Sequence, residues 1–230
     1  MTKISIIIPI LNEAKTITSL LNYLIESSLK ENIADIIVVD GGSTDNSVEV
    51  VSDFKNILLI NSEKGRAKQM NAGAKKATGC VLYFLHADSL PPEKYDKYII
   101  EAIDHGSGSG CFRMKFDSAH WILKIAGWLT QLNWKSCRGG DQSLFVDKDL
   151  FFEVGGYNEK LLIYEDNDLI YKLYKCSKFK VIQKWIKTSA RRYNSNGVCR
   201  LQIHFGIIHL KKYFGATSKS LESYYSKHIK

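Results

Sequence analysis

The feature that most restricts the fold is an apolar run that stops at an aspartate. Residues 36–39 read Ile-Ile-Val-Val, Asp40 follows, and a glycine pair then leads into Ser43-Thr44-Asp45. A continuous β-branched run is typical of a parallel strand buried on both faces, and the residues after the glycines are typical of a helix start. The segment therefore predicts a buried strand, a tight turn and a helix.

Two further apolar runs also end in polar groups. Residues 4–8 precede a loop that reads Pro-Ile-Leu-Asn-Glu from Pro9 to Glu13, and residues 81–85 precede His86-Ala87-Asp88. Ligands of open α/β sheets bind beyond the carboxyl ends of the strands. We therefore expect the three strand ends to bind one ligand together.

Strand-like and helix-like segments alternate through residue 104, which predicts an α/β fold with a mostly parallel central sheet and helices on both faces. We expect a single domain over residues 1–215 with a nucleotide-binding half (1–104) and a second half (105–196). An amphipathic helix should cover 197–215, with Val198–Tyr213 at its centre, and residues 216–230 should form a mobile polar tail. Residues 106–110 (Gly-Ser-Gly-Ser-Gly) predict a flexible linker or tight turn.

The net charge of +8 points to an anionic partner. Charge alone does not choose among a nucleic acid, an anionic lipid and a phosphorylated substrate, but no separable basic arm is present and we expect no nucleic acid. The five cysteines form no Cys-x-x-Cys pair, so neither a zinc site nor a disulfide framework is predicted. Without a leader or a membrane span, we expect a cytoplasmic chain, with peripheral contact at the inner face of the membrane left open.

The order of the motifs resembles family 2 glycosyltransferases of the GT-A fold, which are inverting members of the nucleotide-diphospho-sugar transferase superfamily. The resemblance starts with the Pro-x-x-Asn-Glu loop, Asp40–Asp45 and His86–Asp88. It continues through Gly140-Asp141-Gln142 and Glu165-Asp166, and so covers the chain to about Arg192.

The resemblance implies that one group of residues lines the nucleoside pocket, where carboxylates and amides suit the ribose hydroxyls and the uracil edge. Those residues are Pro9, Asn12, Glu13, Asp40, Ser43, His86 and Ala87. Arg66 and Gln69 are predicted to contact the nucleotide, and Arg191 or Arg192 its phosphates. Simpler interpretations stay open: a turn aspartate for Asp40, a structural histidine for His86, and a surface pair for the two arginines.

Asp88 matches the second aspartate of the family's Asp-x-Asp motif, which implies that it holds Mn²⁺ or Mg²⁺. A divalent cation would neutralise the charge that develops on the nucleoside diphosphate leaving group. His86 stands where the first aspartate is expected, so one carboxylate is missing from the motif.

By the same resemblance, Asp166 is the general base that accepts the proton of the attacking hydroxyl, and Glu165 orients it or touches the acceptor. A plain helix N-cap is the alternative for Asp166. Gly140, Asp141 and Gln142 are predicted to contact the donor sugar or the acceptor, with a structural hairpin turn as the alternative.

The sequence thus predicts a metal-dependent inverting glycosyltransferase that moves a sugar from a UDP-sugar to a hydroxyl of a sugar, a lipid-linked acceptor or a small molecule. A nucleotidyltransferase of similar fold and a non-catalytic nucleotide-sugar-binding protein are the alternatives. The basic, amphipathic helix Val198–Tyr213 would either pack onto the domain or lie on an anionic membrane surface.

Overall fold

In a computed structural model, residues 2–139 and 142–229 are described. The strands are β1 (Ile4–Ile10), β2 (Ile33–Asp40), β3 (Leu58–Asn61), β4 (Val81–Phe84), β5 (Ser89–Leu90), β6 (Ser109–Phe116), β7 (Leu144–Asp147) and β8 (Phe179–Thr188). The helices are α1 (Ala14–Glu26), α2 (Ser47–Ser52), α3 (Arg66–Lys76), α4 (Tyr95–Asp104), α5 (Trp121–Leu129), α6 (Lys148–Glu153), α7 (Glu165–Cys176), α8 (Arg191–Asn196), α9 (Val198–Tyr213) and α10 (Ser218–His228).

All eight strands form one sheet in the order β3-β2-β1-β4-β7-β6-β8-β5. The first four are parallel, as the alternating pattern predicts. Strand β7 then runs antiparallel to both β4 and β6, β8 pairs parallel with β6, and the short β5 closes the edge antiparallel to β8. The first half therefore brings the carboxyl ends of β1, β2 and β4 to one edge.

Strand β1 is the centre of the core because all seven of its residues are buried. Ile6 and Ile8 point to a cluster that includes residues of α1 and α4, whereas Ile7 points to a cluster on the opposite face with residues of α3 and α7. Two apolar layers on one sheet explain why the strand sequence is continuously hydrophobic rather than alternating.

A third apolar cluster joins α5, α8, α9 and α10 through Leu123, Tyr193, Leu201, Ile208 and Leu221. Helix α9 has the bounds expected from its apolar stripe. The expected mobile tail is wrong in one respect: Ser218–His228 is a helix, capped by the Thr217 side chain, and it buries Leu221. No helix in residues 2–139 or 142–229 has the length and hydropathy needed to cross a bilayer.

The linker predicted over residues 106–110 is also corrected. Ser109 and Gly110 are the first residues of β6, and Ser109 is fully buried. A Cβ at Gly110 would lie 2.2 Å from the Lys180 carbonyl oxygen and 2.4 Å from the Phe145 ring. The glycine therefore permits close packing of strands, and only Gly106, with φ of 80°, makes the turn.

Close approach of α3 to the sheet yields a stability prediction. A Cβ at Gly73 would lie 2.5 Å from Ile7 Cγ2 and 3.1 Å from Val39 Cγ2. Because the buried strands cannot move away, Gly73→Ala should lower the free energy of unfolding by about 1–3 kcal/mol in urea denaturation. Gly206→Ala is the matched control, since that helical glycine has open space around it; it should be neutral or gain up to about 1 kcal/mol. Equal effects of the two changes would contradict this packing.

Candidate active site

The loops after β1 and β2 are bonded to each other through side chains predicted to line the nucleoside pocket. Asn12 has a left-handed backbone, with φ of 59°. Its N–H donates to Ser43 Oγ at 2.9 Å, and its Oδ1 accepts from the Thr44 N–H at 2.8 Å. The Glu13 N–H donates to Ser47 Oγ at 2.8 Å, and Asp45 accepts from the Ala14 N–H. These bonds fix both loops in one orientation before any ligand arrives.

The carboxylate of Asp40 organises its own turn. It is almost fully buried and accepts hydrogen bonds from the N–H groups of Gly42 at 2.9 Å and Ser43 at 3.0 Å. This geometry is the turn aspartate that was the alternative to direct ligand contact. Contact between Asp40 and a nucleoside stays a prediction.

Gln69 has a different role from the one predicted. Its side chain is 4% exposed, and its amide nitrogen donates to the carbonyls of Ile10 and Val39, both at 2.8 Å. From helix α3, Gln69 thus joins the ends of β1 and β2. We call it a framework residue because its side chain bonds to the protein backbone. Pro9 within β1 and Ala87 after β4 are likewise buried, so their side chains also face the core.

The predicted catalytic pair opens helix α7. Tyr164 precedes it in a left-handed conformation, with φ of 73°, and Glu165 and Asp166 occupy the first helical turn. Asp166 is therefore not the N-cap. A non-glycine residue in this conformation costs about 1–3 kcal/mol, and such strain is commonly found at functional sites.

Arg66 connects this pair to the first half of the chain. From the first position of α3, its Nε lies 3.2 Å from Glu165 Oε1 and its Nη1 lies 3.9 Å from Asp166 Oδ2. The prediction that Arg66 contacts the nucleotide is untested, but the side chain stands between the strand-end loops and the acidic pair. A ligand bound next to Arg66 would therefore contact both the strand-end loops and the acidic pair.

The environment of Glu165 alters its acidity. Burial is the main cause, the neighbouring Asp166 charge adds to it, and Arg66 opposes it, so that the pKa of Glu165 rises to about 6. The carboxyl of Glu165 therefore titrates closer to neutrality than that of an exposed glutamate. Perturbed carboxyl pairs of this kind are concentrated at functional sites.

His86, Asp88 and Arg191 lie around the end of β4. His86 lines a small cavity with Asp166 and Tyr157, which brings it close to the acidic pair. The carbonyl of Asp88 accepts from the Ser189 N–H at 3.1 Å, and this bond ties the β4 loop to the segment before α8. Arg191 Nη2 forms an ion pair with Glu13 Oε1 at 2.8 Å. The hydrogen bond to Glu13 is the main cause that raises the pKa of Arg191, and the charges of Glu13 and Asp88 add to it.

These residues are compatible with a divalent cation that a substrate helps to bind. Within the described ranges, no three His, Cys, Asp or Glu side chains form a preassembled metal cluster. Mg²⁺ and similar ions are often held by one or two carboxylates together with substrate phosphates, so a complete protein cage is not required. Asp88, at the strand edge and near Arg191, is the carboxylate suited to that arrangement.

A buried arginine that no sequence motif pointed to organises the segment after α5. Arg138 is 3% exposed. Its guanidinium donates to Gln142 Oε1 at 2.9 Å, to the Thr130 carbonyl at 2.7 Å and to the Leu132 carbonyl. Its own carbonyl accepts from Asn167 Nδ2 at 2.9 Å, directly after the acidic pair.

This network gives Gln142 a structural role. The side chain is 2% exposed, its Oε1 accepts from Arg138, and its Nε2 donates to the Cys137 carbonyl at 2.8 Å. Contact between Gln142 and a donor sugar or an acceptor stays a prediction. Gly140 and Asp141 lie outside the described residues.

A cavity of about 420 Å³ lies beside the acidic pair. Its polar end carries Arg66, Glu165, Asp166 and Asn167. Apolar side chains of β6, α5 and α9 line part of the wall, among them Met114, Phe116, Leu129, Phe205 and Ile208, and polar side chains such as Gln202 and His209 line another part. Arg192 lines this cavity, whereas its neighbour Arg191 pairs with Glu13, so the two arginines face different parts of the site.

Known proteins can now be compared with this arrangement. The family model described as Glycosyl transferase family 2 matches residues 5–157, which is more than half of the chain. The chain belongs to glycosyl transferase family 2. An undecaprenyl-phosphate 4-deoxy-4-formamido-L-arabinose transferase of Proteus mirabilis is 31% identical over 133 residues, covering 54% of this chain and 40% of that protein. The chain thus spans less than half the length of the curated relatives it matches.

Solved glycosyltransferase structures share the fold. Staphylococcus aureus TarS 1-349 in complex with UDP superposes with a TM-score of 0.70 at 23% identity, covering 82% of this chain and 60% of that one. The mannosyltransferase PcManGT from Pyrobaculum calidifontis, in complex with GDP-Man and Mn²⁺, superposes with a TM-score of 0.71 at 16% identity, covering 94% and 65%. The expected α/β fold of the GT-A type is confirmed.

The raised pKa of Glu165 can be measured directly. Carboxyl carbon NMR should report a pKa near 6 for Glu165, and Arg66→Gln should raise it further, because the cation opposes the shift. Since the folded chain holds this proton more tightly than the unfolded chain, the free energy of unfolding should fall as pH rises from about 4.5 to about 6. Glu165→Gln should remove that part of the pH dependence. A pKa of Glu165 near 4.5 that does not change in the Arg66→Gln variant would contradict the geometry.

Proposed function

We propose that the chain transfers a sugar from a nucleoside-diphosphate sugar, a UDP-sugar in the first instance, to an acceptor hydroxyl. The observation that carries the proposal is the acidic pair at the polar end of a cavity, linked by Arg66 to the helix that follows β3. Family membership supports sugar transfer. UDP is bound in the TarS structure of the same fold, which favours uracil as the base of the donor.

The donor would lie along the carboxyl edge of the parallel strands, its nucleoside against the joined loops of Asn12 and Ser43. Backbone N–H groups and the Asn12 and Ser43 side chains already hold one another there, so binding requires little reorganisation of the protein. Asp88 would hold Mn²⁺ or Mg²⁺ together with the diphosphate, and the cation would neutralise charge on the leaving group. Arg191, whose side chain is 58% exposed although it pairs with Glu13, is the arginine suited to reach the same phosphates.

Asp166 would accept the proton of the acceptor hydroxyl as that oxygen attacks the anomeric carbon. The bond from the anomeric carbon to the phosphate oxygen breaks in the same displacement, and the nucleoside diphosphate leaves with the electron pair. Attack from the face opposite the leaving group inverts the anomeric centre, as the resemblance implies. Arg66 would keep the carboxylates oriented through its contacts with Glu165 and Asp166.

The acceptor would enter the cavity beside the pair. Its walls combine apolar side chains of β6, α5 and α9 with polar ones such as Gln202 and His209, which suits an acceptor that carries both an apolar part and polar groups. The Proteus mirabilis relative is named for transfer to undecaprenyl phosphate, a lipid-linked acceptor, and this favours the lipid-linked class among the acceptors considered.

Replacement of the proposed base gives the first functional prediction. Asp166→Asn should lower the transfer rate by about 10²–10⁴-fold while UDP affinity stays within about threefold, because proton acceptance is lost and the nucleotide loops are unchanged. Asp168→Asn, two residues along in α7, is the matched control: it loses only a pair with Lys172 and should keep its activity.

Wild-type turnover by Asp166→Asn would exclude Asp166 as the base. Loss of UDP binding in the same variant would indicate that the donor occupies this part of the site instead.

Nucleotide binding tests the assignment of Asp88 to a metal ion, and this measurement does not require turnover. In a thermal-shift screen of nucleotide sugars, Mn²⁺ should increase the stabilisation by the bound donor, and Asp88→Ala should remove that increase. Asp117→Ala changes a carboxylate whose side chain is largely exposed and pairs with Lys187, so it serves as the control and should behave as wild type. Binding and turnover that persist unchanged in EDTA would refute a metal-dependent reaction.

A further inference from the structure

We propose that the outer face of α5 docks the protein on the surface of an anionic lipid bilayer. We define this docking face by four side chains of α5, namely Trp121, Lys124, Ile125 and Trp128. The sequence alone directed attention to helix α9, and the structure moves the contact to α5. The proposal concerns a binding surface and is independent of the chemistry proposed above.

Helix α5 has two unlike faces. Its inner face is tightly packed: Leu123 and Gly127 are buried, and a Cβ at Gly127 would lie 2.8 Å from the Met114 carbonyl oxygen. Its outer face is apolar yet exposed, with 65% of Trp121, 50% of Ile125 and 56% of Trp128 accessible. Large apolar side chains spaced at i, i+4 and i+7 form one stripe, and a stripe of this kind marks an interaction surface.

The tryptophans extend this surface beyond the helix. Trp134, in the turn that follows α5, is also strongly exposed, so three of the four tryptophans in the chain are exposed within residues 121–134. Tryptophan has an apolar ring system with one polar N–H group, and it is enriched where proteins meet the boundary between lipid and water. A docking face rich in tryptophan therefore suits a membrane interface.

The charges around α5 identify the kind of membrane. Residues 118–139 contain no aspartate or glutamate, and their two lysines, Lys124 and Lys135, are both exposed, whereas Arg138 is buried. Helix α9 contacts α5, and residues 189–221, which include it, contain six lysines and arginines and again no acidic residue. The chain has 24 acidic residues in total, so their absence from two adjacent segments is a marked asymmetry. Basic residues beside an exposed apolar stripe favour anionic lipid headgroups.

Helix α9 is the weaker candidate for the same contact. Its apolar stripe includes Leu201 and Ile208, and both are buried in the cluster shared with α5, α8 and α10. Packing onto the domain, which was one of the two alternatives for this helix, therefore occupies the stripe. The lysines at its end, Lys211 and Lys212, stand beside the exposed Tyr213 and Phe214 and add to the positive charge of this helix.

The docking face adjoins the cavity of the acidic pair. Ala126 and Leu129, also on α5, line that cavity, and Leu129 is itself exposed. A bilayer in contact with Trp121, Ile125 and Trp128 would therefore lie next to the cavity. This placement would bring headgroup-linked molecules close to Asp166, a consequence that rests on the proposed function.

Vesicle flotation with the full chain tests the docking face. The protein should float with vesicles of equal parts phosphatidylglycerol and phosphatidylcholine, and its tryptophan emission should shift to shorter wavelength. Pure phosphatidylcholine vesicles should bind much less, and added salt should weaken binding, because part of the attraction is electrostatic. The double variant Trp121→Ser/Trp128→Ser should bind about tenfold more weakly, because it lacks two indole rings that would insert into the lipid surface.

A matched control separates this face from general hydrophobicity. Ile25→Ser/Phe152→Ser removes two exposed apolar side chains from α1 and α6 and should bind vesicles as wild type does. Melting temperatures of both double variants that equal the melting temperature of the wild-type chain would show that the fold is intact. Failure of the wild-type chain to float, or equal binding by the Trp121→Ser/Trp128→Ser variant, would overturn the proposal. The proposal would also be overturned if light scattering showed that the wild-type chain is a dimer and the Trp121→Ser/Trp128→Ser variant is not. The docking face would then be an interface between two copies of the chain. Turnover plays no part in these measurements, so their failure is distinct from failure of the proposed transfer reaction.

Discussion

The parallel register of β1 against β2 is the constraint on which the site depends. Ile10 pairs with Asp40 at the last position of both strands, so their loops begin side by side. Gln69 secures that point by donating to the carbonyls of Ile10 and Val39, where the ladder ends and the chains diverge. A Cβ at Gly41 would lie 2.9 Å from the Gln69 amide, so the glycine after Asp40 is needed for this bridge. The bonds of Asn12 with Ser43 and Thr44 then extend the ordered edge into the loops.

A second set of contacts fixes the acidic pair. Arg66 joins it from α3, and the Asn167 amide joins it to the buried Arg138, which bonds with Thr130, Leu132 and Gln142. The pair is thus held both by the parallel half of the sheet and by the loop of the antiparallel half. The raised pKa of Glu165 follows from this enclosure, since burial and the charge of Asp166 outweigh the nearby guanidinium. Two carboxylates with different surroundings are what acid–base chemistry requires of a protein.

The sequence predicted those features that local pattern controls. Continuous apolar runs marked β1, β2 and β4, and the stripe of α9 marked its bounds. The motifs also identified the positions that the fold gathers near one edge, including Glu13 with Arg191 and Arg66 with Glu165. Prediction failed where tertiary contacts decide a role. Nothing local distinguishes Gln69, a framework residue, from side chains that face a ligand. Nothing local reveals that Arg138 is buried, or that Ser109 and Gly110 belong to a strand.

We infer that a nucleotide sugar lies along the β1–β2–β4 edge with its anomeric carbon facing Asp166. A crystal structure of the protein with Mn²⁺ and a non-transferable UDP-sugar analogue would locate each part of the donor. The nucleoside should lie against Asn12 and Ser43, Mn²⁺ on Asp88, and the anomeric carbon on the side of the cavity that carries Asp166. A nucleotide bound in the apolar part of that cavity, with Asp88 distant from its phosphates, would contradict this inference.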